Sequence, residues 1–429
     1  MILNILILIF LNFQMIESKI IKLPFKTYYN TTDINETNFI RINYLSRIGI
    51  EIELGTPPQK LISAFHLQIF NTIVQSKDTK CVIKSLFDSN HSSSLIKEEK
   101  SIHFYFEAFS GAFLAKDNAI IGNNKLNIDK FNFLLTEDIN DDSILHPIII
   151  GLRLQSRSSN KALPETNLIN YLYDNKYINN YTFTFEFTSD DEGQLIIGEN
   201  PYVDKDFSFI SVGIFSNPIN MQTWGFKFDK IYYGNETVHD KNFDALFEVE
   251  QKFIIGSSYY QYKVEKDFFF KHNDSCKKEN SYIEKYKPIK YYVCDKDINL
   301  NDMKPLTLYI KHNNFNFTFL PSDLFVEFKG KQFFIIVFTN VFESQWTLGR
   351  YFFKKYQLYF DKDKKVIGYY KNGKKNNKLL FPILIITLII IIILLIYYIQ
   401  YHIKKARKKR LNEIDDDFDY ITQDSNNKN

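Results

Sequence analysis

Residues Ile48 to Ser76 read I-G-I-E-I-E-L-G-T-P-P-Q-K-L-I-S-A-F-H-L-Q-I-F-N-T-I-V-Q-S. Two runs of strand length, Ile48–Leu54 and Leu61–Phe70, flank the turn-forming Gly55-Thr56-Pro57-Pro58. The first run alternates apolar residues with Gly49, Glu51 and Glu53, the period of a half-buried strand. The Gly-Pro cluster interrupts any regular element and predicts a turn. The same texture recurs outward along the chain, at His103–Phe106, Ile120–Gly122, Thr182–Phe187, Gln194–Gly198 and Leu306–Ile310. Short runs at this density predict an all-β architecture. The one clear helical candidate is Pro164–Asn175, where Leu168, Ile169, Tyr171 and Leu172 fall at helical spacing.

With 429 residues the chain has room for two domains, and 45% hydrophobic against 24% charged residues is enough to bury a core in each. A net charge of +3 makes no case for a nucleic-acid partner. Forty-one Phe and 28 Tyr against 15 Gly favour strands over helices.

Two apolar stretches set the expected compartment. Met1–Phe13 is apolar almost throughout and is followed by Glu17, Ser18 and Lys19, the order of a signal peptide, taken as residues 1–18. Leu379–Ile399 carries no charge, and at ~1.5 Å per residue it covers a ~30 Å hydrocarbon core as a transmembrane helix. Lys404, Lys405, Arg407, Lys408, Lys409 and Arg410 follow it, against Lys371, Lys374, Lys375 and Lys378 before it. That asymmetry points residues 400–429 to the cytoplasm as a tail. The expectation is a type I protein of the secretory pathway or cell surface, crossing its membrane once, with the bulk of the chain lumenal or extracellular. Residues 19–41 are polar and read as a leader or flexible arm, and 371–378 as a stalk. Sequons at Asn30, Asn35, Asn90, Asn180, Asn235, Asn273 and Asn316 are compatible with secretion. Cys276 and Cys294 share one polar stretch and would pair in an oxidising lumen, leaving Cys81 over.

Leu54-Gly55-Thr56-Pro57-Pro58-Gln59 resembles the N-terminal lobe of pepsin-like aspartic proteases. Further segments continue the resemblance. Ser101–Asn118 resembles the flap hairpin, with Tyr105 at the flap tyrosine, and Ile148–Leu152 a Gly-Ile-Leu-Gly-Leu segment. Thr182–Gly198 is similar to strands entering the interlobe sheet, and Trp224–Phe228 to the strand that follows. Trp346–Tyr369 resembles the terminal strand-helix-strand block, with Arg350 in place of an Asp. The resemblance implies a β-rich bilobal fold, with lobes over 42–205 and 206–370.

It also implies two Asp-Thr-Gly catalytic loops, and here the chain departs. The first falls on His66, Leu67 and Gln68, the second on Glu248, Val249 and Glu250. No Asp-Thr-Gly or Asp-Ser-Gly occurs anywhere. The family's chemistry needs two carboxylates sharing one proton and holding a water. His66 removes one of them, and Glu248 lengthens the other. Leu67 and Val249 remove supporting hydroxyls, while Gln68 and Glu250 place long side chains where glycine allows close approach.

The expected protein is a catalytically inactive, membrane-anchored member of this class, binding an extended peptide or protein partner in its cleft. His66 and Glu248 are expected to form an ion pair there. One alternative is an active aspartic endopeptidase with a non-standard site, for which Asp78 and Asp244 are the nearest carboxylates. Another is a structural or adhesive surface protein. No cofactor and no metal are expected, since His66, Glu248 and Glu250 lack an i,i+4 ligand pair.

Overall fold

Four sheets account for the chain's 27 described strands. The computed structural model describes residues 20–29, 33–77, 85–102, 111–122, 126–137, 146–154, 163–202, 207–212, 223–282, 288–339, 346–371 and 393–405.

A seven-stranded sheet is shared by distant parts of the chain. It consists of β1 (Ile21–Tyr28), β2 (Arg47–Gly49), β10 (Thr182–Phe187), β11 (Glu192–Ile197), β12 (Phe207–Ser211), β26 (Tyr359–Asp361) and β27 (Val366–Tyr370), in the order β12-β27-β26-β10-β11-β1-β2. Residues 19–41, expected as a leader or flexible arm, therefore supply β1, an internal strand. Pro24 has one strand neighbour, because β2 pairs only from Lys26 onward, and its missing N–H is tolerated there.

The second sheet contains β3 (Glu51–Leu54), β4 (Gln59–His66), β5 (Ile73–Gln75), β6 (Ile96–Ile102), β7 (Ala112–Ile121), β8 (Leu126–Thr136) and β9 (Ile148–Gly151). The turn read from Gly55 to Pro58 joins β3 to β4, with Leu54 opposite Gln59. The third contains β13 (Gly225–Phe228), β16 (Phe243–Phe247), β17 (Ile254–Gly256), β18 (Cys276–Tyr282), β19 (Pro288–Asp295), β22 (Phe325–Phe328), β23 (Lys331–Phe334), β24 (Ile336–Thr339) and β25 (Trp346–Leu348). The fourth is β14 (Lys230–Tyr233), β15 (Glu236–His239), β20 (Leu306–Ile310) and β21 (Phe315–Phe319).

The second and third sheets repeat one pattern. The order β4-β9-β5-β8 recurs as β16-β25-β17-β24. In both, the first strand runs parallel to the second and the third parallel to the fourth. This repeat aims the ends of β4 and β16 alike.

Helices are short: α1 (Phe39–Leu45), α2 (Leu168–Asp174), α3 (Ser258–Val264) and α4 (Arg350–Tyr356). The predicted helix at 164–175 is a 3₁₀ turn at Pro164–Thr166 followed by α2. Asn167 caps α2 by accepting from Asn170 N–H, which is why the chain changes direction there. An aromatic core runs between the sheets. Phe183 stacks on Phe360 at 4.7 Å, and buried Trp224 donates its indole N–H to Leu152 O at 2.7 Å.

Residues 1–373 form one unit and 374–429 a second. In the second, 393–405 are helical with exposed side chains. No helix among the described residues is long and apolar enough to cross a membrane. The expected span at 379–399 lies outside the described residues except for 393–399. The expected signal peptide, most of the stalk and tail, Tyr105, Asn30 and Cys81 also lie outside them.

Candidate functional site

β4 ends at His66, which pairs with Gly151 of β9 and accepts at its carbonyl from Leu152 N–H at 2.9 Å. β16 ends at Phe247, which pairs with Leu348 of β25, and the next residue, Glu248, donates its N–H to Leu348 O at 3.2 Å. The loops His66-Leu67-Gln68 and Glu248-Val249-Glu250 thus leave matching strands of matching sheets. Leu67 and Val249, where the family's hydroxyls would sit, are fully buried and join the core.

The third positions of the two loops reach across to each other. Glu250 Oε1 lies 2.8 Å from His66 Nδ1 and accepts from Leu67 N–H at 3.0 Å. In return, Gln68 Nε2 donates to Phe247 O at 2.9 Å, while Gln68 Oε1 accepts from the Thr223 hydroxyl. Arg153 donates to Gln68 O at 3.2 Å and Arg47 to Glu250 O at 3.4 Å. The side chains expected to hold the loops apart instead tie them together, because each is long enough to find a polar partner on the opposite loop.

The carboxylate on His66 belongs to Glu250, not to Glu248 as expected. The reason is reach and direction: the Glu250 side chain is buried beneath the loops, whereas Glu248, half-buried, is placed by its backbone bond to Leu348. A nitrogen lone pair facing a carboxylate at 2.8 Å would be repulsive, so Nδ1 carries a proton. The Gln68 N–H, 3.2 Å from the same nitrogen, then has no lone pair there to donate to. Burial alone would push the Glu250 carboxyl up. The charge and hydrogen bond of His66, with Arg47 behind, outweigh burial and hold it below its ordinary value.

A second polar group, of which only Arg350 stands out in the sequence, gathers around Thr27 and Tyr29 at the end of β1. Lys252 Nζ is 2.6 Å from Asp191 Oδ1 and 2.7 Å from Tyr29 Oη. Buried Arg350 donates to Thr27 Oγ1 at 2.7 Å and to Ser46 Oγ at 2.6 Å. Burial lowers the Arg350 pKa to about 10. Lys252 and Asp191 carry no motif, and no sequence signal would have joined them.

Cys276 and Cys294 face each other across β18 and β19 and form the expected disulfide. Of the sequon residues, Asn90, Asn235, Asn273 and Asn316 are exposed. Asn35 Oδ1 accepts from Thr37 Oγ1, and Asn180 Nδ2 donates to Gly198 O.

A sequence model described as eukaryotic aspartyl protease matches residues 47–371. The match covers well over half of the chain, and the chain belongs to that family. Cathepsin D of Gallus gallus is 27% identical over 193 residues, which is 41% of this chain and 46% of that protein. The alignment thus spans less than half of that relative's length.

Proposed function

We propose that this chain is a catalytically inactive member of its family that binds an extended peptide or protein segment in its cleft. One observation carries the reading: the first loop offers no carboxylate, and its His66 is engaged through Nδ1 by buried Glu250. Peptide hydrolysis by this family needs two acidic groups sharing a proton across a bound water. A histidine tied to a third-position glutamate gives no such pair. The two loops still leave matching strands of matching sheets, and a strand-like ligand suits a groove between them.

The protein works as a glycosylated, single-pass membrane protein of the secretory pathway or cell surface, with its C-terminus in the cytoplasm. The apolar stretch Leu379–Ile399, the basic cluster after it and the Cys276–Cys294 disulfide support this placement.

The test uses the full-length protein in detergent with a peptide library at acidic pH, with and without a transition-state inhibitor of pepsin-like enzymes. Saturable binding without cleavage is expected. Inhibitor-sensitive turnover by the unmodified protein would overturn the reading, and failure to bind any peptide would favour a purely structural role. Resistance to alkaline carbonate extraction from membranes tests the anchor.

A further inference from the structure

α3 turns two tyrosines outward over a groove. Ser257 caps the helix by accepting from Tyr260 N–H, and the Tyr260 ring is fully buried against Tyr233 and Trp346. Anchored by that ring, α3 holds Tyr259 and Tyr262 in solvent, 51% and 68% exposed. Both line the same groove, so they form one surface rather than two stray rings. The His239 ring stacks on Tyr259 at 5.0 Å and fixes the plane of that ring.

The groove has a volume of about 300 Å³. α3 supplies one wall through Tyr259, Tyr262 and Lys263, and β15 the other through Glu236, Thr237 and Val238. Lys263 Nζ lies 2.5 Å from Glu236 Oε2, so an ion pair joins the two walls. β15 follows a hairpin turn at Gly234-Asn235, with Tyr233 paired to Glu236. Gly234 has a φ of 62°, which a glycine reaches without strain at such a turn. Asn235 is exposed, and Asn235-Glu236-Thr237 is a sequon. The second and third residues of that sequon are thus wall residues of the groove.

Given the reading of the chain as a secretory glycoprotein, on which this rests, we propose that the groove seats an N-linked glycan carried by Asn235, its inner sugars lying across Tyr259 and Tyr262. The bond joins Asn235 Nδ2 to the anomeric carbon of a lipid-linked oligosaccharide. The lipid diphosphate leaves with the bonding pair, and the amide gives up one proton. A sugar ring suits these walls because it presents a face of C–H groups, which packs on an aromatic ring, and a rim of hydroxyls. Thr237, Glu236 and Lys263 meet that rim with donors and acceptors. Attachment at the mouth favours the glycan over a free ligand, since a tethered group binds at high effective concentration. From Asn235 to Val238 the strand advances only ~10 Å, so the groove lies beside the first sugars rather than the distal ones.

The experiment expresses the full-length chain in secreting eukaryotic cells and maps sugar occupancy by glycopeptide mass spectrometry. Asn235 is expected to be occupied. The native protein is then treated with an endoglycosidase that cuts between the two innermost sugars, and release is timed at Asn235 and at whichever of the exposed Asn90, Asn273 and Asn316 carry sugar. Release at Asn235 should be about 10-fold slower than at the others, the protection that ~1.4 kcal/mol of docking gives. Tyr259→Ser with Tyr262→Ser should erase the difference, and Tyr259→Phe with Tyr262→Phe should keep it. Both side chains are exposed, so neither pair of changes reaches the core. Equal release rates in the parent overturn the proposal, as does protection that survives the serine changes. A bare Asn235 beside occupied sequons overturns it alone and leaves the secretory reading standing, whereas sugar at no sequon removes both. None of these readouts depends on peptide binding or peptidase activity, so the catalytic reading fails or stands separately.

Discussion

Replacing Glu250 with alanine tests the contact that distinguishes this cleft. The substitution removes the partner of His66 at 2.8 Å and the acceptor of the buried Leu67 N–H at 3.0 Å. The orphaned amide costs about 1–3 kcal/mol, since it is buried. The His66 side chain is 33% exposed, so solvent screens the ion pair, which adds only about 0.5–1 kcal/mol. The total is about 1.5–4 kcal/mol. With an unfolding entropy of ~2.1 cal/mol/K per residue, a unit of this size loses roughly 1.4 °C per kcal/mol, so melting should fall by about 2–6 °C. Glu250→Gln keeps an acceptor for Leu67 and loses only the charge, so it should lie between alanine and the parent.

The pH dependence has a definite sign. The Glu250 carboxyl sits below its ordinary value of 4.5 in the folded state. Its contribution is therefore complete above that value and is lost as pH falls through the lowered folded value. Thermal melts of parent, Glu250→Gln and Glu250→Ala near pH 6, and at steps below 4.5, measure this. The parent's advantage over the glutamine variant should shrink in acid. An alanine variant that melts within about 1 °C of the parent near pH 6 would refute the reasoning. An advantage that holds constant into acid would refute it too.

Three further outcomes are expected. Restoring carboxylates with His66→Asp and Glu248→Asp should yield no measurable acid peptidase activity, because Leu67, Gln68, Val249 and Glu250 still fill the loop positions; robust turnover by that variant would show the third positions to be permissive. Phe25→Ala, which empties an aromatic pocket in the shared sheet, should destabilise residues 1–373 by about 3–5 kcal/mol in urea titration, whereas Lys26→Ala should change the midpoint little. Reduction of Cys276–Cys294 should lower stability by about 2–4 kcal/mol, a loss absent from a Cys276→Ser and Cys294→Ser variant on adding reductant.

Much of the fold is legible in the sequence. Period-two alternation at Ile48–Leu54 marks a strand wherever one face is buried, and a Gly-Pro cluster marks a turn in any context, because both act over a few neighbouring residues. The family segments placed the two loops at His66 and Glu248; His66 ends β4 and Glu248 directly follows β16, its counterpart in the other sheet. The disulfide followed from two cysteines in one stretch.

What the sequence did not give was which side chains meet. The partner of His66 depends on the direction in which the backbone of 248–250 leaves β16, and two residues along a loop reverse that choice. A glutamine and a glutamate read as steric obstacles become cross-loop bonds only once the opposite backbone is known to lie within reach. Residues 19–41 looked like a loose arm because short-range polarity dominates their composition. Their strand is held by its pairing with β11 and by Asp191, Lys252 and Arg350, all more than 90 positions away. Local patterning thus determined the elements, while long-range geometry alone decided their partners, since contact between distant residues is set by the packed chain and leaves no period in the sequence.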